Sequence, residues 1–203
     1  MKKVYFLIIC ISILAYKLSA QVNVKDSSIF APYVGVSYGY QLNGGDLTRR
    51  FGNNSSVAMN LEFKTKKYWI WGVNGSFFFG KDVKETLFDS ISTSSGAIIN
   101  GNGEFADVRL FERGFTTSLT AGRMFAFKKP NPNSGIVFSV GVGFIQHKIR
   151  IETIGNNVPE LSKKYKKGYD HLTNGLLLSQ NLGYMYLSNN KDRKSTRLNS
   201  SHW

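Results

Sequence analysis

The stretch that most constrains the fold runs from Gly135 to Glu152, G-I-V-F-S-V-G-V-G-F-I-Q-H-K-I-R-I-E. Phe138, Val140, Val142 and Phe144 alternate there with Ser139, Gly141 and Gly143. A period of two places successive side chains on opposite faces of a strand. The apolar run from Ile136 to Phe144 is about nine residues, close to the roughly 9–11 that a tilted strand needs to cross a bilayer. Beyond Phe144 the apolar face turns polar at Gln146, Lys148 and Arg150, as expected where such a strand leaves hydrocarbon.

The same period recurs along the chain. It predicts strands over Tyr33–Leu42, Val57–Lys64, Tyr68–Gly80, Gly114–Met124 and Leu176–Leu187 besides the opening stretch. The outward face of Gly114–Met124 is read as Phe115, Leu119 and Ala121. That of the last strand is read as Leu178, Leu182, Tyr184 and Tyr186 or its complement. Asn43–Asp46, Thr65–Lys67 and the Pro/Asn-rich Lys128–Gly135 carry turn chemistry. Lys81–Arg113 is long and weakly periodic, with Val83–Ile91 read as extending the third strand and Phe105–Phe111 the fourth. Short and long connections alternate, which puts short turns at one end and long loops at the other, the asymmetry of outer-membrane barrels. No amphipathic helix of useful length appears.

The expected fold is therefore all-β, an antiparallel up-and-down transmembrane β-barrel. A soluble, lipocalin-like barrel is the main structural alternative. The polar face weighs against it, being Gly, Ser, Asn and Thr with few charges, where a water-facing surface carries many. A narrow interior accepts small polar side chains. About six strands are visible, whereas bacterial single-chain barrels begin at eight. Unpaired edges in lipid are costly, so eight strands are expected at full length.

The two ends of the chain read differently. Met1-Lys2-Lys3, an apolar core over Val4–Tyr16 and Ala20 before Gln21 make a secretory signal peptide over residues 1–20. Cys10, the only cysteine, lies within it, so the expected barrel domain over 21–191 has no thiol chemistry. Asp192–His202, D-R-K-S-T-R-L-N-S-S-H, reads as the one-frame translation of a DNA-sequencing adapter. Residues 192–203 are accordingly expected to be non-native, and the barrel to be C-terminally incomplete. Setting both ends aside takes Lys+Arg from 26 to 20 and Asp+Glu from 13 to 12, so the formal net charge falls from +13 to +8. The basic excess sits in short clusters, Arg49-Arg50, Lys64-Lys66-Lys67, Lys128-Lys129 and Lys163-Lys164-Lys166-Lys167. For an exported chain the expected counter-charges are anionic lipid headgroups or lipopolysaccharide phosphates, not nucleic acid.

Four segments resemble the outer-membrane β-barrel proteins of Bacteroidetes: G-G-D-L-T-R-R-F-G-N-N-S (44–55), Y-W-I-W-G-V-N-G-S-F-F-F-G (68–80), G-V-G-F-I-Q-H-K-I-R-I-E (141–152) and Y-K-K-G-Y-D-H-L-T-N-G (165–175). That resemblance implies an OmpA-like or OmpX-like small, porin-like barrel in the cell outer membrane. It implies outer-membrane lipid, lipopolysaccharide and the barrel-assembly machinery as partners, with no catalytic residues to carry over. The closing strands and terminal aromatic signal of such barrels are missing from the pattern.

Few residues stand out as sites. Tyr68, Trp69 and Trp71 open the third strand and are candidates for a membrane–water interface, where amphipathic rings collect. Tyr165, Lys166, Lys167 and Tyr169 form the best candidate for an external-loop interaction with phosphates or a protein partner. His147 has Ser139 eight residues before it on the same face, too far along a strand for direct contact. His171 follows Asp170 without a metal-spaced partner. Gly141-Val142-Gly143 lacks the following helix of a phosphate-binding loop, and glycine there suits a crowded interior. Arg123 is placed to pair with Glu62 inside the barrel. The expected function is non-enzymatic, without cofactor or metal: a structural, adhesive or partner-docking barrel. A passive channel and a lipid-modifying barrel enzyme are the alternatives.

Overall fold

The computed structural model describes residues 27–127, 131–155 and 158–187 in full and 193–202 as backbone. The expected signal peptide lies outside the described residues. Six strands, β1 (Ala31–Gln41), β2 (Asn54–Lys64), β3 (Trp69–Gly80), β4 (Val108–Ala126), β5 (Gly135–Thr153) and β6 (Thr173–Leu187), form one antiparallel up-and-down sheet. Each pairs with its neighbours in the sequence, so every connection is a hairpin. A seventh strand, β7 (Arg193–His202), pairs with β6 and makes one edge of the sheet, with β1 the other. The segment set aside for lacking alternation thus adds a strand to the expected six. Ladders are made by backbone groups, and an open edge accepts a segment without an apolar face.

The period of two is obeyed throughout. Cα partners Val34, Leu61, Val73, Leu119, Val142 and Leu178 form one row across β1–β6, all on one face. The adjacent row on the opposite face is Tyr33, Glu62, Gly72, Thr120, Gly141 and Ser179. The first face is exposed, Leu119 by 63% and Val142 by 51%, while Thr120 and Ser139 of the second are exposed by 4% and 1%. The sheet is curled about that second, largely polar face. Phe78 of β3 reaches Ile145 and Leu177 of β5 and β6, and Ile29 and Ala31 at the start of β1 pack on Leu187 at the end of β6.

Crowding on the concave face explains its glycines. A Cβ on Gly141 would stand 2.6 Å from Ser179 Oγ and 2.9 Å from Thr120 Cγ2, and one on Gly72 would stand 2.8 Å from the Leu61 carbonyl oxygen. Several polar side chains of this face bond to one another. Asn74 Nδ2 donates to Thr120 Oγ1 (3.2 Å), Ser76 and Thr116 hydroxyls bond at 2.7 Å, and Asn181 Nδ2 donates to Ser139 Oγ (3.4 Å).

The two ends are built differently. At the short-turn end, Asn131, Asn133 and Ser134 of the β4–β5 turn are buried. Asn133 Oδ1 accepts from the Ile29 amide and its Nδ2 donates to the Ser27 carbonyl, both at 2.9 Å. Asn131 Nδ2 donates to the Leu187 carbonyl (2.6 Å), and the Leu187 amide donates to Ser134 Oγ (3.1 Å). One turn thereby ties the segment leading into β1 to the end of β6. Lys64, fully buried, adds bonds from Nζ to Ser28 Oγ (3.0 Å) and the Ile29 carbonyl (2.9 Å).

At the long-loop end the connections fold into an apolar cap. Phe51, Leu87, Ile98, Val158 and Leu161 pack on Ile149 and Ile151 of β5. Residues 83–91 belong to this cap and do not extend β3; Val83 makes only an isolated bridge with Phe51. β4 begins at Val108, and Phe105 bridges Ile99 instead of joining it. These segments bury apolar side chains from one surface of irregular backbone, so they carry no period for the sequence to display. Phe51→Ala, removing a fully buried ring, is expected to destabilise the cap by about 3–5 kcal/mol. Trypsin should then cleave at Lys81, Lys84 and Lys163–Lys167 well before the strands.

Candidate functional site

Charged and aromatic side chains gather at the long-loop end. A one-turn helix, α1 (Leu47–Arg50), carries Arg50 toward the β3–β4 loop. Arg50 Nε donates to Glu85 Oε2 at 3.0 Å, and His171 Nδ1 lies 2.9 Å from Glu85 Oε1. Arg50 Nη1 also reaches Thr173 Oγ1 at 3.4 Å. Three connections are thus tied by one carboxylate. Glu85 was not singled out in the sequence, because it lies 86 residues from His171 in a segment without periodicity. His171 takes φ of +42°, a left-handed conformation that side chains rarely adopt, and this turns its ring toward Glu85.

Burial opposes ionisation of Glu85, but hydrogen bonds from His171 and Arg50 and their charges outweigh it, holding its carboxyl below the usual value. A depressed carboxylate stabilises above the unfolded value of about 4.3 and loses that contribution as pH falls through the folded value.

His147 of β5 faces inward, its ring edge-on to Phe51 with centroids 5.5 Å apart at 85°. Its Nδ1 and the Asn54 Oδ1 are buried without a hydrogen-bond partner, while Asn54 Nδ2 donates to Glu112 Oε2 at 3.0 Å. Ser139 and His147 share the concave face, but eight strand residues separate them by about 26 Å at 3.3 Å per residue. Among the described residues, no three His, Cys, Asp or Glu side chains converge as metal ligands do.

The loop candidates separate. Tyr169 packs edge-on against Phe88 (5.7 Å, 61°) and belongs to the cap. Lys166 and Tyr169 lie in a second one-turn helix, α2 (Lys166–Tyr169), and Lys166 Nζ donates to Thr153 Oγ1 at 3.2 Å. Tyr165 is exposed. Lys163, Lys166 and Lys167 line a hollow of about 520 Å³ with Arg113, Lys148 and Arg150.

At the other end, Trp69 and Trp71 stack on the exposed face at 6.4 Å, as expected from their spacing. Tyr68 does not join them. It turns at φ of +68° and packs beside Ile70, Met124 and Val137, 5.3 Å from Lys64 Nζ. Arg123 does not pair with Glu62 either. Arg123 stands on the exposed face over Trp69 (5.7 Å), whereas Glu62 is buried on the opposite face and accepts from the Tyr33 hydroxyl. Odd β4 positions and even β2 positions lie on opposite faces in the observed register.

A second hollow, of about 1130 Å³, is bordered by the row Val34, Leu61, Val73, Leu119, Val142 and Leu178 and by Tyr33, Glu62, Gly72, Thr120 and Gly141 of the adjacent row. No helix of the described residues is long and apolar enough to cross a membrane, which does not bear on crossing by strands. No family model, curated protein or solved structure matches the chain.

Protection of the amides of residues 158–172, read as exchange relative to the unstructured-chain rate at each pH, is expected to fall between pH 7 and pH 3 as Glu85 protonates. Glu85→Gln should lower that protection at pH 7 and flatten its pH dependence. An unchanged profile in that variant would sink the assignment.

Proposed function

We propose that the chain is an exported outer-membrane β-barrel protein with a structural, adhesive or partner-docking role and no open pore. The observation that carries this reading is the exposed face of the sheet. Three successive rows on it are Val36–Met59–Gly75–Thr117–Phe144–Leu176, Val34–Leu61–Val73–Leu119–Val142–Leu178 and Pro32–Phe63–Trp71–Ala121–Val140–Gln180. Only Thr117 and Gln180 among them are polar.

A water-soluble protein rarely exposes a contiguous apolar patch beyond a few hundred Å². A soluble barrel would also turn its apolar face inward, whereas here Glu62, Thr120, Ser139 and Asn181 are buried and the aliphatic face is exposed. In lipid that arrangement is the stable one, because the outer solvent is apolar and strand backbone groups are satisfied by their neighbours. Burial of the inner face argues against a channel: Phe78 packs on Ile145 and Leu177, and Glu62, Thr120, Ser139 and Asn181 are buried there.

Four measurements test the proposal. The protein should fractionate with outer membranes and migrate faster on gels unheated than boiled. Leu119→Arg, in the middle of the apolar rows, should destabilise the folded form in lipid by about 2–4 kcal/mol. Planar bilayers holding the folded protein should show no conductance. Recovery of the folded protein in the soluble fraction would overturn the reading.

A further inference from the structure

The basic hollow at the long-loop end combines charges that ought not to be neighbours. Arg113 of β4 and Lys148 of β5 are direct Cα partners on the exposed face. Like charges directly opposite one another destabilise a sheet. Lys148 is partly compensated by Asp170, 3.7 Å away, and Arg150 by Glu152. Arg113 has no carboxylate partner among the described residues; it donates to the Glu112 carbonyl (3.1 Å) and lies between the Phe79 and Phe111 rings, 5.8 and 5.3 Å from their centroids. The loop then brings Lys163, Lys166 and Lys167 over the same space. Six cations face a single lining carboxylate, Asp170.

The position of the hollow is as informative as its charge. Phe77 forms part of its lining and is half-exposed, and Phe77 is the Cα partner of Phe115. Phe115 and Phe144, whose rings lie 6.1 Å apart, continue the exposed apolar face away from the loops. The hollow therefore begins where the apolar rows end. A molecule seated here would meet cations at one end and an apolar surface at the other.

We infer that this hollow is a binding site for the phosphate of a lipid headgroup, held by Arg113, Lys148, Arg150 and Lys167 while the acyl chains lie against Phe77, Phe115 and Phe144. The inference rests on the membrane-barrel reading. Arg113 supplies a planar fork suited to two phosphate oxygens, and the lysines supply point charges free to follow them. The phosphate also offsets the repulsion between Arg113 and Lys148. Binding should weaken as salt rises, since the cations remain open to solvent.

The test uses the full chain refolded in detergent and then placed in nanodiscs, with native mass spectrometry reading the lipids retained. Phosphatidic acid, with a bare phosphate monoester, is offered against phosphatidylcholine. The expected result is selective retention of phosphatidic acid. The triple variant Arg113→Gln/Lys148→Gln/Lys167→Gln should lose about a hundredfold in affinity, each cation near an anionic headgroup contributing roughly fivefold. Lys163→Glu/Lys167→Glu, confined to the loop, should weaken binding without touching a strand, and heat-modifiable mobility checks that both variants fold. Lys66→Gln/Lys67→Gln, at the opposite end, should bind as the parent does.

Equal binding by the folded triple variant, or equal loss in the Lys66/Lys67 control, overturns the site. So does competition by inorganic phosphate at the concentration at which phosphatidic acid binds, which would mark a free-anion site. The two readings fail separately. A parent protein that enters nanodiscs but shows no headgroup preference removes the site alone. One that never enters lipid removes the membrane reading as well.

Discussion

The sheet buries its polar face, and most of the remaining structure follows from that choice. A concave surface of Ser, Thr, Asn and Gly is stable only if each polar group finds a partner at close range. The hydroxyl and amide pairs of β3–β6 do so, and the Tyr33–Glu62 pair does so between β1 and β2. Such pairing demands a tight radius, hence Gly72 and Gly141 where a side chain would collide. Larger side chains also enter the concave face where they pack on one another, as Phe78, Ile145 and Leu177 do.

A curled sheet with edges at β1 and β7 must still be held at its ends, and the two solutions are chemically opposite. At the short-turn end the connections are brief, and only small apolar clusters form there, Ile29–Ala31–Leu187 and Ile70–Met124–Val137. Asparagine amides, each able to donate and accept, bridge the segment before β1 to the end of β6. At the other end the loops are long enough to bury Phe51, Leu87, Ile98 and Leu161 together, and hydrophobic burial replaces hydrogen bonding. Arg50, Glu85 and His171 then pin the outer edge of that cap.

The strands were legible because their period is imposed by the environment on both faces. Residues 135–152 and 57–64 display it without interruption, and their observed faces agree with the alternation. Features that depend on a single approach between distant segments left no trace. Val83–Ile91 looked strand-like because apolar residues are common to strands and caps. Glu85 looked like any loop acid, since nothing local reveals Arg50 or His171. Tyr68 sits beside Trp69 and Trp71 in sequence, but alternation places it with Ile70 on the opposite face, where its ring packs beside Met124 and Val137. Arg123 and Glu62 failed as a pair for a simpler reason, a parity that fixes their faces once the register is known.

The register also supplies a length. Trp69 pairs with Arg123, and Phe79 pairs with Arg113, so the same two strands carry an arginine against an aromatic ring at both margins of the apolar rows. Positions 69 and 79 are separated by about 33 Å at 3.3 Å per residue. A strand tilt of about 40° reduces that to a height of about 25 Å, the thickness of the apolar band on outer-membrane barrels. Arginine over an aromatic ring keeps its charge at the water side while its stem and the ring stay against apolar surface. Between these two margins the exposed residues of β3 and β4 are Trp71, Val73, Gly75 and Phe77 opposite Ala121, Leu119, Thr117 and Phe115, without a charge. The two arginines thus bracket a span of the exposed face of β3 and β4 that carries no charge. The basic hollow beside Arg113 lies at one end of that span.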